Sequence, residues 1–248
     1  MCRHLAYLGP PVPLATLVFD VPHALVEQAA SPKLQVSTPT NPDGWGVAWY
    51  GPGDDPPRQY RTAVPIWDDV TFVPEHATVT AGAFVAAVRA ASPGSRIDAD
   101  NNAPFVAGPW TFSLNGFVAG FRDGAGDKLR ARLSPARASR LQGDTDTEVL
   151  LALVLDLIDR GYAPDAAVAE AATSAHAMAG GRLNLLLSDG EGVVATTLGN
   201  SLFVRSHAQV TVIASEPLDD RAGWVPVPNA SVLSATAGRH DIRPLAAS

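Results

Sequence analysis

The chain has 248 residues, 46% of them hydrophobic and 17% charged, and carries a net charge of −7 at neutral pH. This is the composition of a globular protein with a sizeable core, and the acidic balance excludes a nonspecific binder of nucleic acid or anionic membrane, which needs clustered Lys and Arg. The single cysteine, Cys2, excludes internal disulfides and cysteine-based zinc clusters and fits a reducing cytoplasm, and no run approaches the roughly 18 apolar residues of a membrane span.

Cys2 follows Met1 directly. Removal of Met1 would leave a thiol nucleophile and a free α-amine on one residue, groups of similar ordinary acidity with pKa values of about 8.5 and about 8. Taken alone, a lone cysteine reads equally well as a small buried hydrophobe. The N-terminus lacks the basic start, long apolar run and small-residue cleavage site of a signal peptide, so the lipoprotein reading of such a cysteine does not apply.

Residues 3–9 partly alternate and meet Gly9-Pro10-Pro11, which predicts a strand closed by a proline turn, with Cys2 at the rim of a sheet. Residues 14–30 predict one or two short helices broken at Pro22. Asn41-Pro42-Asp43-Gly44 marks a turn before the aromatic strand 45–50. The glycines on both sides of Trp45 imply a close backbone approach there, to a ligand or within a plain hairpin that packs the indole. Residues 51–57 form a loop and 58–63 the returning strand. The apolar strand 84–90 ends by presenting Arg89, whose guanidinium needs an anionic partner, an internal acid or a substrate carboxylate.

Residues 102–105 read as a turn, and the strand 110–114 runs into Asn115-Gly116. Asn-Gly is the commonest tight hairpin signal; the alternative is that the Asn115 amide and the Gly116 N–H are oxyanion donors. The basic stretch from Lys128 to Arg140 is interrupted by Pro135 and followed by acids, the pattern of a solvated face. Thr145-Asp146-Thr147-Glu148 is a capping box. The helix after it places Val149, Leu150, Leu153, Val154, Leu157 and Ile158 on one face and stops at Arg160-Gly161. Asp146 lies in its first turn, where the helix dipole favours a carboxylate in any case. An alanine-rich helix over 164–178 precedes short strands at 183–187, 193–197, 201–205 and 210–214, and the remainder reads as Pro-rich and strand-poor. Strands, two central helices and further strands predict a single α+β domain over 1–248, with helices packed on sheets.

The six histidines have no metal-ligand spacing, no Gly-x-Ser-x-Gly elbow or Walker loop occurs, and Gly190-Glu191-Gly192 lies among strands where a dinucleotide fingerprint needs a following helix. No metal and no cofactor are therefore expected. What remains is an ordered constellation: Cys2, Asp43-Gly44-Trp45-Gly46, Arg89, Asn115-Gly116 and Asp146. In this the chain resembles the class II glutamine amidotransferases, N-terminal-nucleophile hydrolases in which a terminal cysteine attacks the γ-amide of a glutamyl substrate. The resemblance implies a four-layer αββα sandwich, one type-2 glutamine amidotransferase-like domain over the whole chain. It implies Cys2 as nucleophile, Asn115 and Gly116 as oxyanion hole, Arg89 on the substrate α-carboxylate and Asp146 on the α-ammonium, with Trp45 among the substrate-binding residues.

Arg182-Leu183-Asn184-Leu185-Leu186, Ala195-Thr196-Thr197, Ala214-Ser215-Glu216-Pro217-Leu218-Asp219-Asp220 and Gly223-Trp224, with Met1-Cys2-Arg3-His4 and Ala87-Val88-Arg89, are similar to one branch of that family. This branch is the bacterial ergothioneine-biosynthesis amidohydrolases, which remove the γ-glutamyl group from γ-glutamyl-hercynylcysteine sulfoxide. It implies a small-molecule γ-glutamyl substrate and no required protein partner. A stand-alone glutaminase subunit feeding ammonia to a separate synthetase, and a catalytically silent binding protein of the same fold, are the alternatives. Two positions depart from the family: Leu114 stands where histidine commonly precedes Asn-Gly, and Arg89 is followed by Ala90-Ala91-Ser92-Pro93 without the Trp or His of many glutaminases. The second departure predicts a pocket unlike that of ordinary glutamine users.

Overall fold

Two antiparallel sheets carry the fold in the computed structural model, which describes residues 2–34, 38–53, 56–72, 76 and 78–245. The first sheet runs in the order β11 (Val225–Pro226), β9 (Phe203–His207), β10 (Val210–Ala214), β1 (Arg3–Pro13), β4 (Thr80–Val88), β2 (Trp45–Tyr50) and β3 (Arg58–Thr62). The second runs β13 (Arg239–Pro244), β12 (Ser231–Thr236), β8 (Gly192–Thr197), β7 (Gly181–Ser188), β6 (Trp110–Val118) and β5 (Phe105–Ala107).

Alternation along the strands decides the layers, because successive side chains leave opposite faces. In β1, Leu5 and Tyr7 point outward to join Trp45, Val47, Phe84 and Ala86 beneath the turn Thr16–Asp20 and helix α1 (Leu25–Ala30). Ala6 and Leu8 point inward and meet Val85, Leu186 and Ile213 between the sheets. On the other side, Phe112 and Leu114 of β6 face the helical layer and pack with Leu150, Val154 and Ala171. That layer comprises α2 (Ala125–Arg130), α3 (Pro135–Ala138), α4 (Asp146–Asp159) and α5 (Pro164–Ala179). The result is helix, sheet, sheet, helix, the four-layer α+β sandwich expected. No helix among the described residues is long and apolar enough to cross a membrane.

Helix α4 begins at the anticipated cap, with the Thr145 hydroxyl accepting the Glu148 N–H at 3.2 Å. The Glu148 carboxylate, however, accepts from the Gln142 and Gly143 N–H groups, both at 2.7 Å, so it ties down the preceding loop. Residues 149 to 156 of α4 are all buried, since sheet, α5 and the short helices enclose it.

Two expectations, and one of the two readings of Asn115-Gly116, fail on tertiary grounds. β1 does not stop at Gly9 but continues to Pro13; Pro10 and Pro11 fall where pairing with β10 has ended and the β4 register shifts between Leu8 and Val12, so no ladder donor is demanded of them. Asn115-Gly116 is no hairpin: β6 runs through it, with Asn115 opposite Asn184 and Gly116 opposite Leu183 on β7. Glycine is required at 116 because a Cβ would run into the Arg182 carbonyl. The C-terminal region is not strand-poor either, since β12 and β13 form a hairpin added to the edge of the second sheet through β8.

Candidate active site

Four segments converge at one end of the sandwich. Cys2 precedes β1, and the first pair of that ladder, Arg3 opposite Val88, sets it beside the end of β4, where Arg89 follows. Gly116 lies on β6 and Asp146 opens α4. Cys2, Arg89, Gly116 and Asp146 all line one cavity of about 40 Å³, whose apolar wall includes Phe105 and Leu114. A larger cavity of about 360 Å³ adjoins it, sharing Ser92, Ser95, Gly116 and Asp146 and extending past Phe117 and Phe121. Met1 lies outside the described residues.

The Asp43-Gly44 turn places Arg89. Arg89 N–H donates to the Gly44 carbonyl (2.9 Å), Asp43 N–H donates to the Arg89 carbonyl (3.0 Å), and Ala91 N–H donates to the Asp43 carboxylate (2.7 Å). Gly44 has φ of +104° and no room for a Cβ beside the Asn102 side chain and the Thr62 carbonyl, so the turn tolerates only glycine. The nearly buried Arg89 guanidinium donates to the Arg96 carbonyl at 3.0 Å and makes no ion pair among the described residues. Of the two partners open to it, no internal acid is found among the described residues, and Arg89 lines the cavity.

Asp146 is the complementary charge. One of its oxygens accepts from Val118 N–H at 2.9 Å and the other from Thr147 N–H at 2.8 Å. Burial pushes its carboxyl above the usual carboxylate range, although those two hydrogen bonds pull the other way. Such a carboxyl gains from any cation that enters the cavity.

The structure does not bring every anticipated residue to the wall. Asn115 is fully buried behind it, its Nδ2 donating to the Ser215 hydroxyl at 3.1 Å while Asn200 Nδ2 reaches its backbone oxygen (2.8 Å) and Oδ1 (3.4 Å). Because side chains 114 and 115 leave opposite faces of β6, residue 114 cannot support the Asn115 amide, whichever side chain it carries. Trp45 is a correction. Its indole is fully buried on the outer face of the first sheet, edge-on to Phe72 (4.7 Å) and Phe19 (5.7 Å), with Nε1 donating to Asp69 at 3.0 Å. The alternation that sends Val47 and Trp49 to that core sends Trp45 with them. The close approach signalled by Gly46 is made by the carbonyls of Ala103 and Tyr60, not by a ligand.

Several residues beside Cys2 escape a reading of the chain. Arg3 is fully buried and paired at 3.0 Å with Glu216, which also accepts from His23 Nε2 (2.9 Å) and from the N–H groups of Lys33 (2.8 Å) and Leu34 (3.0 Å). Burial alone would raise the Glu216 carboxyl, but the bonds from His23, Leu34 and Lys33 and the Arg3 charge outweigh it and hold it low. Desolvation lowers Arg3, opposed by the nearby Glu216 and Cys2 groups. His4, also buried, has Nδ1 at 2.9 Å from the Ser113 hydroxyl and is pushed down to about 3 by its burial and by the Arg3 charge, so it is neutral. An arginine beginning an otherwise apolar strand was the available signal; its partner lies 213 residues away.

The family model described as class II glutamine amidotransferases matches residues 13–208. The chain is 33% identical over 245 residues to a γ-glutamyl-hercynylcysteine sulfoxide hydrolase from Mycolicibacterium smegmatis, covering 99% of this chain and 100% of that one. A protein of the same name from Mycobacterium tuberculosis is 33% identical over 236 residues, 95% of this chain and 93% of the other. Among solved structures, a glutamine aminotransferase class-II domain protein from Silicibacter pomeroyi superposes with a TM-score of 0.72 at 25% identity, over 99% of this chain and 100% of that one.

Proposed function

The chain belongs to the class II glutamine amidotransferases, and from that membership we propose that it is a γ-glutamyl amidohydrolase that converts γ-glutamyl-hercynylcysteine sulfoxide to glutamate and hercynylcysteine sulfoxide. The observation that carries this reading is the convergence of Cys2, Arg89, Gly116 and Asp146 on one small cavity. A guanidinium and a carboxyl that make no ion pair among the described residues form a complementary pair for the α-carboxylate and α-ammonium of a glutamyl head. Held at that end, the substrate extends its γ-amide toward the thiol, and fixed proximity supplies much of the rate.

Once Met1 is removed, the Cys2 α-amine takes the thiol proton, directly or through a water, and the thiolate attacks the γ-carbonyl. The Gly116 N–H at the cavity wall takes the developing oxyanion charge, and the Asn115 amide joins it through the Nδ2 hydrogen not given to Ser215, reaching the carbonyl from behind that wall. The protonated amine gives its proton to the leaving amine, and water then hydrolyses the thioester to release glutamate. No cofactor or protein partner enters these steps, and the free thiol suits a reducing cytoplasm.

The test is glutamate release from glutamine, glutathione and γ-glutamyl-hercynylcysteine sulfoxide side by side, with intact mass confirming loss of Met1. The sulfoxide is expected to give the highest kcat/KM, and Asp146→Asn to raise KM about tenfold or more with less change in kcat. Preference for free glutamine would make the protein a glutaminase. Absence of turnover with all three would make it a binding protein, and full activity with Met1 retained would overturn the amine as base.

A further inference from the structure

We infer that Ser215 and Asn200 are positioning residues that hold the Asn115 amide with its nitrogen toward the reacting carbonyl and tie it to the strand carrying Cys2. The inference rests on the oxyanion role proposed for Asn115. An asparagine amide turns easily about its last torsion and presents an N–H donor or an oxygen depending on which way it lies. Turned the wrong way, it would set an oxygen against the oxyanion instead of a donor.

The Ser215 hydroxyl decides the matter on one side. It is fully buried and has one proton and two acceptor sites. Its proton goes to the His4 carbonyl at 3.3 Å, and one acceptor site is filled by the His4 N–H at 3.1 Å. Toward Asn115, at 3.1 Å, it can therefore only accept, so the Asn115 atom facing it is Nδ2. On the other side Asn200 offers a donor, its Nδ2, to the Asn115 backbone oxygen and to Oδ1. Asn200 is itself fixed, since its N–H donates to Asn184 Oδ1 at 3.2 Å and its carbonyl accepts from Asn184 Nδ2 at 3.0 Å. One flank that can only accept and one that donates give the amide a single orientation, which leaves one Nδ2 hydrogen uncommitted.

The same hydroxyl also sets distance. Ser215 follows β10 in the first sheet and its N–H donates to the His4 carbonyl at 3.0 Å, two residues from Cys2, whereas Asn115 belongs to the second sheet. Nucleophile and oxyanion donor thus sit on different sheets, and Ser215 bonds directly to both strands.

A double-mutant cycle on kcat tests this, because residues acting through one group are not additive. Asn115→Ala should lower kcat about 100-fold to 1,000-fold. Ser215→Ala should lower kcat about tenfold or more, leave KM within about twofold, and have no further effect in the Asn115→Ala background. An equal loss in both backgrounds, or a loss confined to KM, would overturn the inference while leaving the proposed reaction standing. A wild-type protein without γ-glutamyl hydrolysis would remove both. Should Ser215→Ala fail to fold, the half-buried Asn200 carries the same cycle. There Asn200→Asp, which turns a donor into an acceptor facing Oδ1, should cost more in kcat than Asn200→Ala, and an equal cost would overturn the inference.

Discussion

The space between the two sheets has two chemically different ends. Far from Cys2 it is filled by Leu8, Val85, Ile213 and Leu233, a closed apolar cluster. Near Cys2 the inward positions carry His4 on β1, Ser113 and Asn115 on β6, and Ser215 just after β10, equally buried but polar. Apolar contact is non-directional and stabilises in proportion to area. Buried polar contact adds little net stability when satisfied and costs about 1 to 3 kcal/mol per group when a partner is removed, so it fixes position more than it holds the fold together. The apolar end keeps the sheets together, and the polar end determines how their rims face each other across the cavity.

The comparison predicts opposite consequences for substitutions at the two ends. The largest belongs to the rim: Cys2→Ala should abolish glutamate release, while the melting temperature stays near wild type because Cys2 is only partly buried and belongs to no core cluster. Turnover surviving in that variant would end the nucleophile assignment. Next comes Glu216→Ala, which strands the buried Arg3 charge beside the site. Breaking one side of a buried pair costs about 3 to 5 kcal/mol, so chemical denaturation should show a large loss, with kcat falling as well because Arg3 adjoins the nucleophile. A change of less than about 1 kcal/mol would mean that the pair does not organise the polar end. At the apolar end, Leu233→Ala should cost about 2 to 5 kcal/mol and leave kcat and KM unchanged at a temperature where the variant is folded. If its kinetics fell in step with stability, the division between the two ends would not hold.

How far this arrangement could be read from the chain follows from the same distinction between local and distant contacts. Helix α4, its Thr145 cap and the Asp146 position depend on neighbours within a turn, and all were legible. The Asn115-Gly116 pair shows the limit, because its local turn preference yields to pairing with Asn184 and Leu183 across the sheet. Trp45 was drawn toward the site by its flanking glycines, yet strand alternation sends its indole to the opposite face. Nothing local connects Arg3 to Glu216, or Asn115 to Asn200 and Ser215, for these contacts span 213, 85 and 100 residues. The residues that line the cavity, Cys2, Arg89, Gly116 and Asp146, were named through family resemblance, whereas the groups that hold them were accessible only in three dimensions.

The most gradual predicted effect separates the polar end by its titration. His4 in the folded protein is pushed down to about 3, whereas an unfolded histidine titrates near about 6.5. Between those values the unfolded chain binds a proton that the folded chain does not, so stability falls as pH drops from about 6.5 toward 3, by up to about 1.4 kcal/mol per pH unit. Glu216, held low in the fold, adds a loss of the same sign, but only once the pH approaches the ordinary glutamate value of about 4.3. The interval from about pH 6.5 to about 4.5 therefore isolates His4 from Glu216, and the Asp146 carboxyl, raised in the fold and so of opposite sign, is common to wild type and variant and cancels in their difference. Urea midpoints across it should decline in the wild type, and His4→Asn, which can still reach the Ser113 hydroxyl but cannot titrate, should flatten the decline there while leaving the steeper fall below it. A decline of unchanged slope in His4→Asn would place the responsible group elsewhere and remove His4 from the account of the polar end.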